Sequence, residues 1–452
     1  MDNTLGLFDQ AFFSGERVTG ATGLLQTVWV YDRAIDLDGV RRFHHHLQRG
    51  RISRLIERSP LPFGRYRWVA ADTHSELEIV ATPRPREEFD AWLREQAGTP
   101  LDAEHGPAWH LAVLPFTDGG AGVSLLISHS LTDGVGLFRA LADAACGRDD
   151  TIAWPAAGSR PRWRAVREDA RQTARDVPAI GRAIVTAARM ARRARTGDQG
   201  SAAAQTTAPP AQFTGDDEAI TLSTATVFID AADWDARAES LGGTSNSLLA
   251  AVAAGLARRA GRITADGAVT VGMPVNERTP DDTRANAVTN VDFTVDPALA
   301  TTELRAIRAA TKQAITQRDA NPDERWVLLP LVPLIPRWLL KRMAGVAAGA
   351  ATGVVASNLG EVDRDVYRPD GTAADSFVIK SNCPGMTRSL MHRTGGMMAM
   401  LAGRVGGRIF LSVAGYQPGR TNSNAEVRRQ LADTLSDFSL TGVDTSPAPA
   451  AR

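Results

Sequence analysis

A chain of 452 residues exceeds one ordinary hydrophobic core and suits two core-sized lobes. Hydrophobic residues at 43% and charged residues at 23% exclude a disordered chain, and a formal net charge of zero gives no argument for nucleic acid as a partner. Cys146 and Cys383, the two cysteines, exclude a disulfide framework and lie in no metal-ligand spacing, so a reducing, cytoplasmic setting is expected.

The start, Met1 to Phe8, is acidic and lacks an apolar run, which argues against a signal peptide. The first lobe, 1–150, reads as mixed α/β. Gln26 to Tyr31 is a β-branched and aromatic run, hence a strand, and Asp36 to Arg49 follows as a helix. Leu111 to Pro115 and Val123 to Ser128 are apolar runs of strand length on either side of the turn cluster Thr117-Asp118-Gly119-Gly120, so they form a hairpin. Val135 to Cys146 has helical spacing through Val135, Leu137, Phe138 and Leu141.

Composition changes over 151–212. An arginine-rich run from Arg160 to Arg195 reads as a solvated crossover helix with its basic residues spread around it, an anionic lipid surface being the alternative. Gly197 to Pro210 then reads as a flexible linker. The second lobe, 213–440, repeats the mixed pattern. Ser247 to Arg259 is a helix and Ala268 to Met273 a strand. Ala287 to Val295 alternates, with Thr289, Val291, Phe293 and Val295 on one face, and so marks a half-buried strand.

Trp326 to Leu359 is strongly apolar, but Pro330, Pro333 and Pro336, then Arg337, Lys341 and Arg342, interrupt it before a membrane span of about 20 residues is reached. Buried helices broken by loops are expected there, peripheral lipid contact being the alternative. Met397 to Ala402 and Arg408 to Gly415 form a hairpin around Gly406-Gly407. A last helix begins at a capping box, Ser423 with Glu426, and buries Val427, Leu431, Leu435 and Phe438. The tail, 441–452, is expected to be disordered.

The chemistry-bearing stretch is Ser128-His129-Ser130-Leu131-Thr132-Asp133-Gly134. His129 directly follows an apolar strand and Asp133-Gly134 precede a helix, so the spacing spans a strand-to-helix turn rather than one helical face. Such a turn lifts a side chain out of the sheet into a cleft. An imidazole there takes a proton near neutral pH when its orientation is fixed, by Asp133 directly or through a loop tied to an arginine. Gly134 lets the backbone turn sharply and brings a peptide N–H towards a developing oxyanion. By spacing alone, a structural histidine beside a helix-capping aspartate fits equally well.

The chain has no G-x-S-x-G elbow, phosphate loop or dinucleotide-binding glycine pattern. His44, His45 and His46 look like metal ligands, yet adjacent helix positions point about 100° apart, so a surface or amphipathic helix is expected. His74, His105, His110 and His392 lack partners at ligand spacing and read as structural.

With these residues in place the sequence resembles the acyltransferase superfamily defined by HHxxxDG, and most of all its wax ester synthase/diacylglycerol acyltransferase branch. Leu5 to Phe13 (LGLFDQAFF) resembles the opening of that branch, and Thr99 to Trp109 its "PLD…PLW" segment. Met273 to Arg278 (MPVNER) resembles its "PVSVR" stretch, and Val354 to Gly360 (VVASNLG) its "VVSNVPG" element. The matches run in family order to about Gly360.

The resemblance implies an α/β (α+β) fold of two chloramphenicol-acetyltransferase-like lobes with the active site at their interface. It implies His129 as catalytic base, Asp133 as the structural aspartate, Gly134 beside them, and Arg278 as the ion-pair partner of Asp133. Ser128, Asn286, Asn290 and Asn358 would line the cleft. The co-substrate implied is acyl-CoA or an acyl carrier thioester, with an alcohol as acceptor and no bound cofactor or metal. The protein would be a monomer or homodimer, cytoplasmic or peripheral to a membrane. An amine acceptor, a carrier-protein donor, and a catalytically degenerate binding member are the alternatives. Two positions depart from the family pattern: Ser128 stands where the first histidine is usual, and Leu359-Gly360 replace the proline-glycine after Asn358.

Overall fold

Runs of Val, Leu, Ile and aromatic residues become strands, and the spacing between them becomes helix. The computed structural model describes residues 3–71, 74–148, 152–196, 217–279, 282–320, 324–336, 338–340 and 353–444. The first part of the chain runs α1 (Leu7–Thr19), β1 (Leu24–Tyr31), α2 (Leu37–Arg49), β2 (Arg54–Glu57), β3 (Arg67–Ala70) and β4 (Leu77–Ile79). It continues with α3 (Phe89–Ala97), β5 (Trp109–Pro115), β6 (Ala121–Ser128) and α4 (Gly134–Ala145). β5 and β6 form the expected hairpin, with Leu111 opposite Leu125. β6 is buried at every position, as a central strand covered on both faces must be. It pairs with β1 so that Leu24 faces Ser128, which puts His129 at the end of the sheet.

After α5 (Arg162–Thr196), the second part carries β7 (Ser223–Asp230), α6 (Ala231–Ser240), α7 (Ser245–Arg259), β8 (Val269–Asn276), β9 (Val288–Val295) and α8 (Arg305–Ala320). It ends with α9 (Glu324–Val327), β10 (Val354–Glu361), β11 (Ser376–Asn382), α10 (Arg388–Thr394), β12 (Met397–Val405), β13 (Arg408–Tyr416), α11 (Asn424–Asp437) and β14 (Val443–Asp444). The second sheet has seven strands in the order β14-β7-β13-β12-β10-β8-β9. α7 is buried all round from Ser247 to Ala257 because alanine and leucine cover every face of it. β9 shows the expected alternation, Thr289, Val291, Phe293 and Val295 buried and Asn290, Asp292 and Thr294 exposed.

The two sheets are not built from separate halves of the chain. The five-stranded first sheet has the order β11-β1-β6-β5-β4, so residues 376–382, expected in the second lobe, complete the first. β11 covers the open edge of β1, with Val378 opposite Val28, and satisfies hydrogen-bonding groups that would otherwise face outward.

Other expectations need correction. Among the described residues of Trp326 to Leu359 the helical turns are short, three residues at 338–340 included, and they are half-buried or exposed except at Pro330. The one-turn α9 leads into a 3-10 turn at Leu329–Leu334, β10 begins at Val354, and Trp338 is exposed. Prolines 330, 333 and 336 remove the N–H groups a continuous helix needs. Residues 341–352 of this stretch, and the linker 197–210, lie outside the described residues. The tail is ordered as far as β14, where Val443 pairs opposite Phe228; 445–452 lie outside the described residues.

Ser423 caps α11 by accepting from the Glu426 N–H at 3.2 Å, but the Glu426 carboxylate turns to Arg429 and Gln430 instead of closing the box. Five arginines of α5 share one side of it, whereas Arg162, seven residues before buried Asp169, lies on another. Arg167, Arg171, Arg175, Arg182 and Arg189 are all exposed, and spacings of four or seven residues return to one side at about 3.6 residues per turn. Among the described residues no helix is long and apolar enough to cross a membrane.

Candidate active site

The turn that carries His129 is held by its own backbone and by both parts of the chain. The His129 N–H donates to the Gly23 carbonyl at 2.8 Å, and the Leu131 N–H to the Ser128 carbonyl at 3.0 Å. Ser128 is buried, and its hydroxyl oxygen accepts from the Ser130 N–H at 3.2 Å. A serine here therefore closes the turn locally, a task a larger imidazole would perform differently. Arg54, in β2, donates to the carbonyls of Leu131 at 2.8 Å and Thr283 at 2.6 Å, with its guanidinium 3.9 Å over the Trp68 ring.

Asp133 caps α4, accepting from the Gly136 N–H at 2.6 Å. Its other carboxylate oxygen accepts from Arg278 and from the Ala287 N–H, each at 2.8 Å. Arg278 also donates to the carbonyls of Arg284 at 3.0 Å and Ala285 at 2.8 Å. These contacts turn Asp133 away from the imidazole and into the seam between the sheets. Its effect on His129 passes through the loop.

A second brace comes from α1. Buried Asp9 accepts from the N–H groups of Ala285 at 3.1 Å and Asn286 at 2.9 Å, and from the Asn286 side chain at 3.1 Å. Burial raises the Asp9 carboxyl above its ordinary value against the pull of these donors and of Arg54. The Asn286 amide also donates to the His129 carbonyl at 3.1 Å. The Asn286 side-chain oxygen and Nδ1 of His129 are both buried without a hydrogen-bond partner.

Glu16, further along α1, accepts from the Gly23 N–H at 2.7 Å and from the Ser130 hydroxyl. Burial pushes its carboxyl up to about 7, those two hydrogen bonds opposing the rise. The Phe12 ring lies 5.2 Å from the His129 ring.

The other sequence-predicted residues are less uniformly gathered. Gly134 is required for packing: a Cβ there would stand 2.7 Å from a methyl of Leu359, in β10. As the first residue of α4, its N–H has no acceptor within the helix. Asn358 joins β10 to α7, donating to the Asn246 side chain at 2.5 Å and accepting from the Gly360 N–H at 2.9 Å. Asn290 is exposed on β9 and is not brought to the turn. His44 contacts the Ser75 carbonyl at 2.8 Å. His105, read as partnerless, groups with Asp102 and Glu104, whose carboxylates pair with Arg17 and Arg58.

Sequence reasoning missed Asp9, Glu16 and Arg54 as parts of the site. Their signal is polar or charged residues inside otherwise apolar elements, since such groups stay buried only when partnered. Beside Asn286 a cavity of about 510 Å³ opens between the two parts of the chain, walled by Phe8, Asp9, Val288, Trp326 and Leu329.

This arrangement, two sheets meeting at a histidine turn, is the condensation-domain fold of two chloramphenicol-acetyltransferase-like lobes. The first condensation domain of the CDA synthetase matches over 100% of this chain and 99% of its own, at 12% identity and a TM-score of 0.56. The wax ester synthase/diacylglycerol acyltransferase from Marinobacter aquaeolei VT8 matches over 96% of this chain and 98% of its own, at 17% identity and a TM-score of 0.54. A mutant starter condensation domain of rhizomide synthetase RzmA, in complex with C8-CoA, matches over 99% and 98% at 12% identity and a TM-score of 0.52. No family model and no curated protein matches the chain.

Proposed function

We propose that the chain is an acyltransferase that moves an acyl group from a thioester, acyl-CoA in the first instance, to an alcohol, with His129 as general base. The observation that carries this reading is the placement of His129 on a turn braced from both lobes, through Asp133–Arg278 and through Asn286, which also lines a cavity at the seam. The likeness to a wax ester synthase and to a C8-CoA complex supports the choice of donor and acceptor.

In this scheme the imidazole removes the hydroxyl proton as oxygen attacks the thioester carbonyl. The carbon–sulfur bond then breaks, and the imidazolium returns the proton to the departing thiolate. The Gly134 N–H at the start of α4, and Asn358, are the candidate donors to the oxyanion. The Ser128 hydroxyl, used within the turn, serves as a brace and takes no proton.

The likeness to a condensation domain across the whole chain favours a second reading, transfer to an amine or from a carrier-bound thioester. A catalytically degenerate binding member is a third, favoured by Ser128. Thiol release from a panel of acyl-CoAs, offered alcohols and amines in parallel with a His129→Ala control, separates all three. Ester formation abolished in the control supports the first reading. Amide formation supports the second, and no release with any pair the third.

A further inference from the structure

α5 is fastened to the first lobe along one side only. Asp169, fully buried, accepts from Arg67 at 3.0 Å, Arg160 at 3.0 Å and the Ser59 hydroxyl at 2.6 Å, and Asp176 pairs with Arg65 at 3.3 Å. Ala165 and Ala183 are buried on the same side. These contacts fix which side faces outward. On that outward side Trp163 is 68% exposed, Val177 57%, Ile184 55% and Val185 49%. Their spacing forms one stripe along a helix of 35 residues, and a stripe of large apolar side chains in water marks an interaction surface.

A row of guanidinium groups runs beside the stripe. Among the described residues, Arg167, Arg171, Arg175, Arg182 and Arg189 have no carboxylate partner, although arginines on the inner side of the fold are paired densely. An apolar stripe next to a cationic row on one helix is the pattern of a helix that lies in a membrane interface.

We propose that α5 docks the protein on an anionic lipid surface. Trp163, Val177 and Ile184 enter the acyl-chain boundary, and the arginine row contacts headgroup phosphates. A second copy of the chain fits poorly, because it would bring two uncompensated cationic rows together. A single acidic protein patch matches less well than a plane of phosphates, since the arginines extend along the helix.

The helix α5 is joined to the cavity wall by a short chain of packed elements. α9 and the turn Leu329–Leu334 pack against α5, and that turn also packs against α1. Phe8 of α1 meets Trp326 at 4.9 Å on the cavity wall. The inference rests on the fold and not on the proposed activity, so its test needs no turnover.

The test is co-sedimentation of the full chain with phosphatidylcholine vesicles made with and without phosphatidylglycerol. The expected result is binding to the phosphatidylglycerol vesicles that weakens as salt rises. Arg171→Gln, Arg175→Gln and Arg182→Gln together lower the partition coefficient on the order of a hundredfold. Because these side chains make no ion pair, the circular dichroism and Tm of that variant stay at the parent values. Val177→Ser with Ile184→Ser weakens binding as well. Three results would overturn the proposal: no sedimentation with phosphatidylglycerol vesicles, binding indifferent to both sets of variants, or a dimer in solution that the Val177 and Ile184 substitutions dissolve.

Discussion

Arg278 crosses the seam between the lobes to place a guanidinium nitrogen 2.8 Å from the Asp133 carboxylate, with both side chains at most 5% exposed. Asp133 also caps the helix after the His129 turn, and Arg278 also holds the carbonyls of Arg284 and Ala285, just before β9 begins. One pair therefore fixes the turn to the opposite lobe. Removing one partner leaves a buried charge without compensation, which costs about 3–5 kcal/mol. Arg278→Ala is expected to lower Tm by several degrees and to reduce turnover. Arg278→Lys recovers little of either, because one ammonium cannot span three acceptors in the guanidinium geometry. Thermal denaturation beside thiol release checks this, and an Arg278→Ala protein with parent Tm and rate would contradict it.

His129 and Ser128 are adjacent and are predicted to behave oppositely. His129→Ala removes the base and is expected to cost about 10²–10⁴-fold in kcat, with the fold retained because the neighbouring bonds use its backbone. Ser128→Ala removes one buried hydrogen bond within the turn and should cost about 1 kcal/mol of stability with a change in rate well under tenfold. A large loss of kcat in Ser128→Ala with unchanged Tm would assign the hydroxyl a chemical role instead.

The periodic elements were legible because their burial follows their spacing. β6, α7 and β9 are uniformly or alternately apolar in sequence, and their burial follows the same pattern. The His129 turn was legible for a different reason: its residues are consecutive, so one local spacing exposes them. Arg278 and Asn286 became candidates only through family likeness, since no local pattern shows that they lie against residues 133 and 129. Asp9, Glu16 and Arg54 act through contacts more than 70 residues distant in sequence and left only the trace of polarity in apolar surroundings. The crossing of β11 into the first sheet is likewise a long-range pairing, with Val378 meeting Val28. Periodicity describes what a segment is, and not which edge it will cover.

Glu16 makes stability depend on pH in an unusual direction for a carboxyl. Burial raises it from its ordinary 4.5 to about 7, so the folded protein holds this proton more tightly than the unfolded chain does. Its contribution is full below pH 4.5 and is lost as pH rises through about 7. The loss amounts to about 2 kcal/mol once solvent screening at this half-buried residue is counted. Glu16→Gln keeps the acceptor for Gly23 and removes the titration. Denaturant unfolding between about pH 5 and pH 8 should show a declining stability in the parent and a flatter profile in the variant. Parallel profiles would show that Glu16 titrates as in the unfolded chain.

Gly134 and Leu359 give the most local test of how the lobes approach. A Cβ at position 134 would meet a Leu359 methyl at 2.7 Å, closer than such atoms pack. Leu359 also stands where the resembling family has proline, so the departure and the glycine meet at one contact. Gly134→Ala is expected to cost about 1–3 kcal/mol through overpacking at the seam. Leu359→Ala alone removes half-buried apolar contact and is destabilising by itself. Combined, the two substitutions are expected to cost less than their sum by at least about 1 kcal/mol, because the smaller residue vacates the space the new methyl needs. Tm and urea midpoints of the four proteins in this cycle measure the coupling. Strict additivity would mean that the lobes separate at this point instead of pressing Leu359 against the start of α4.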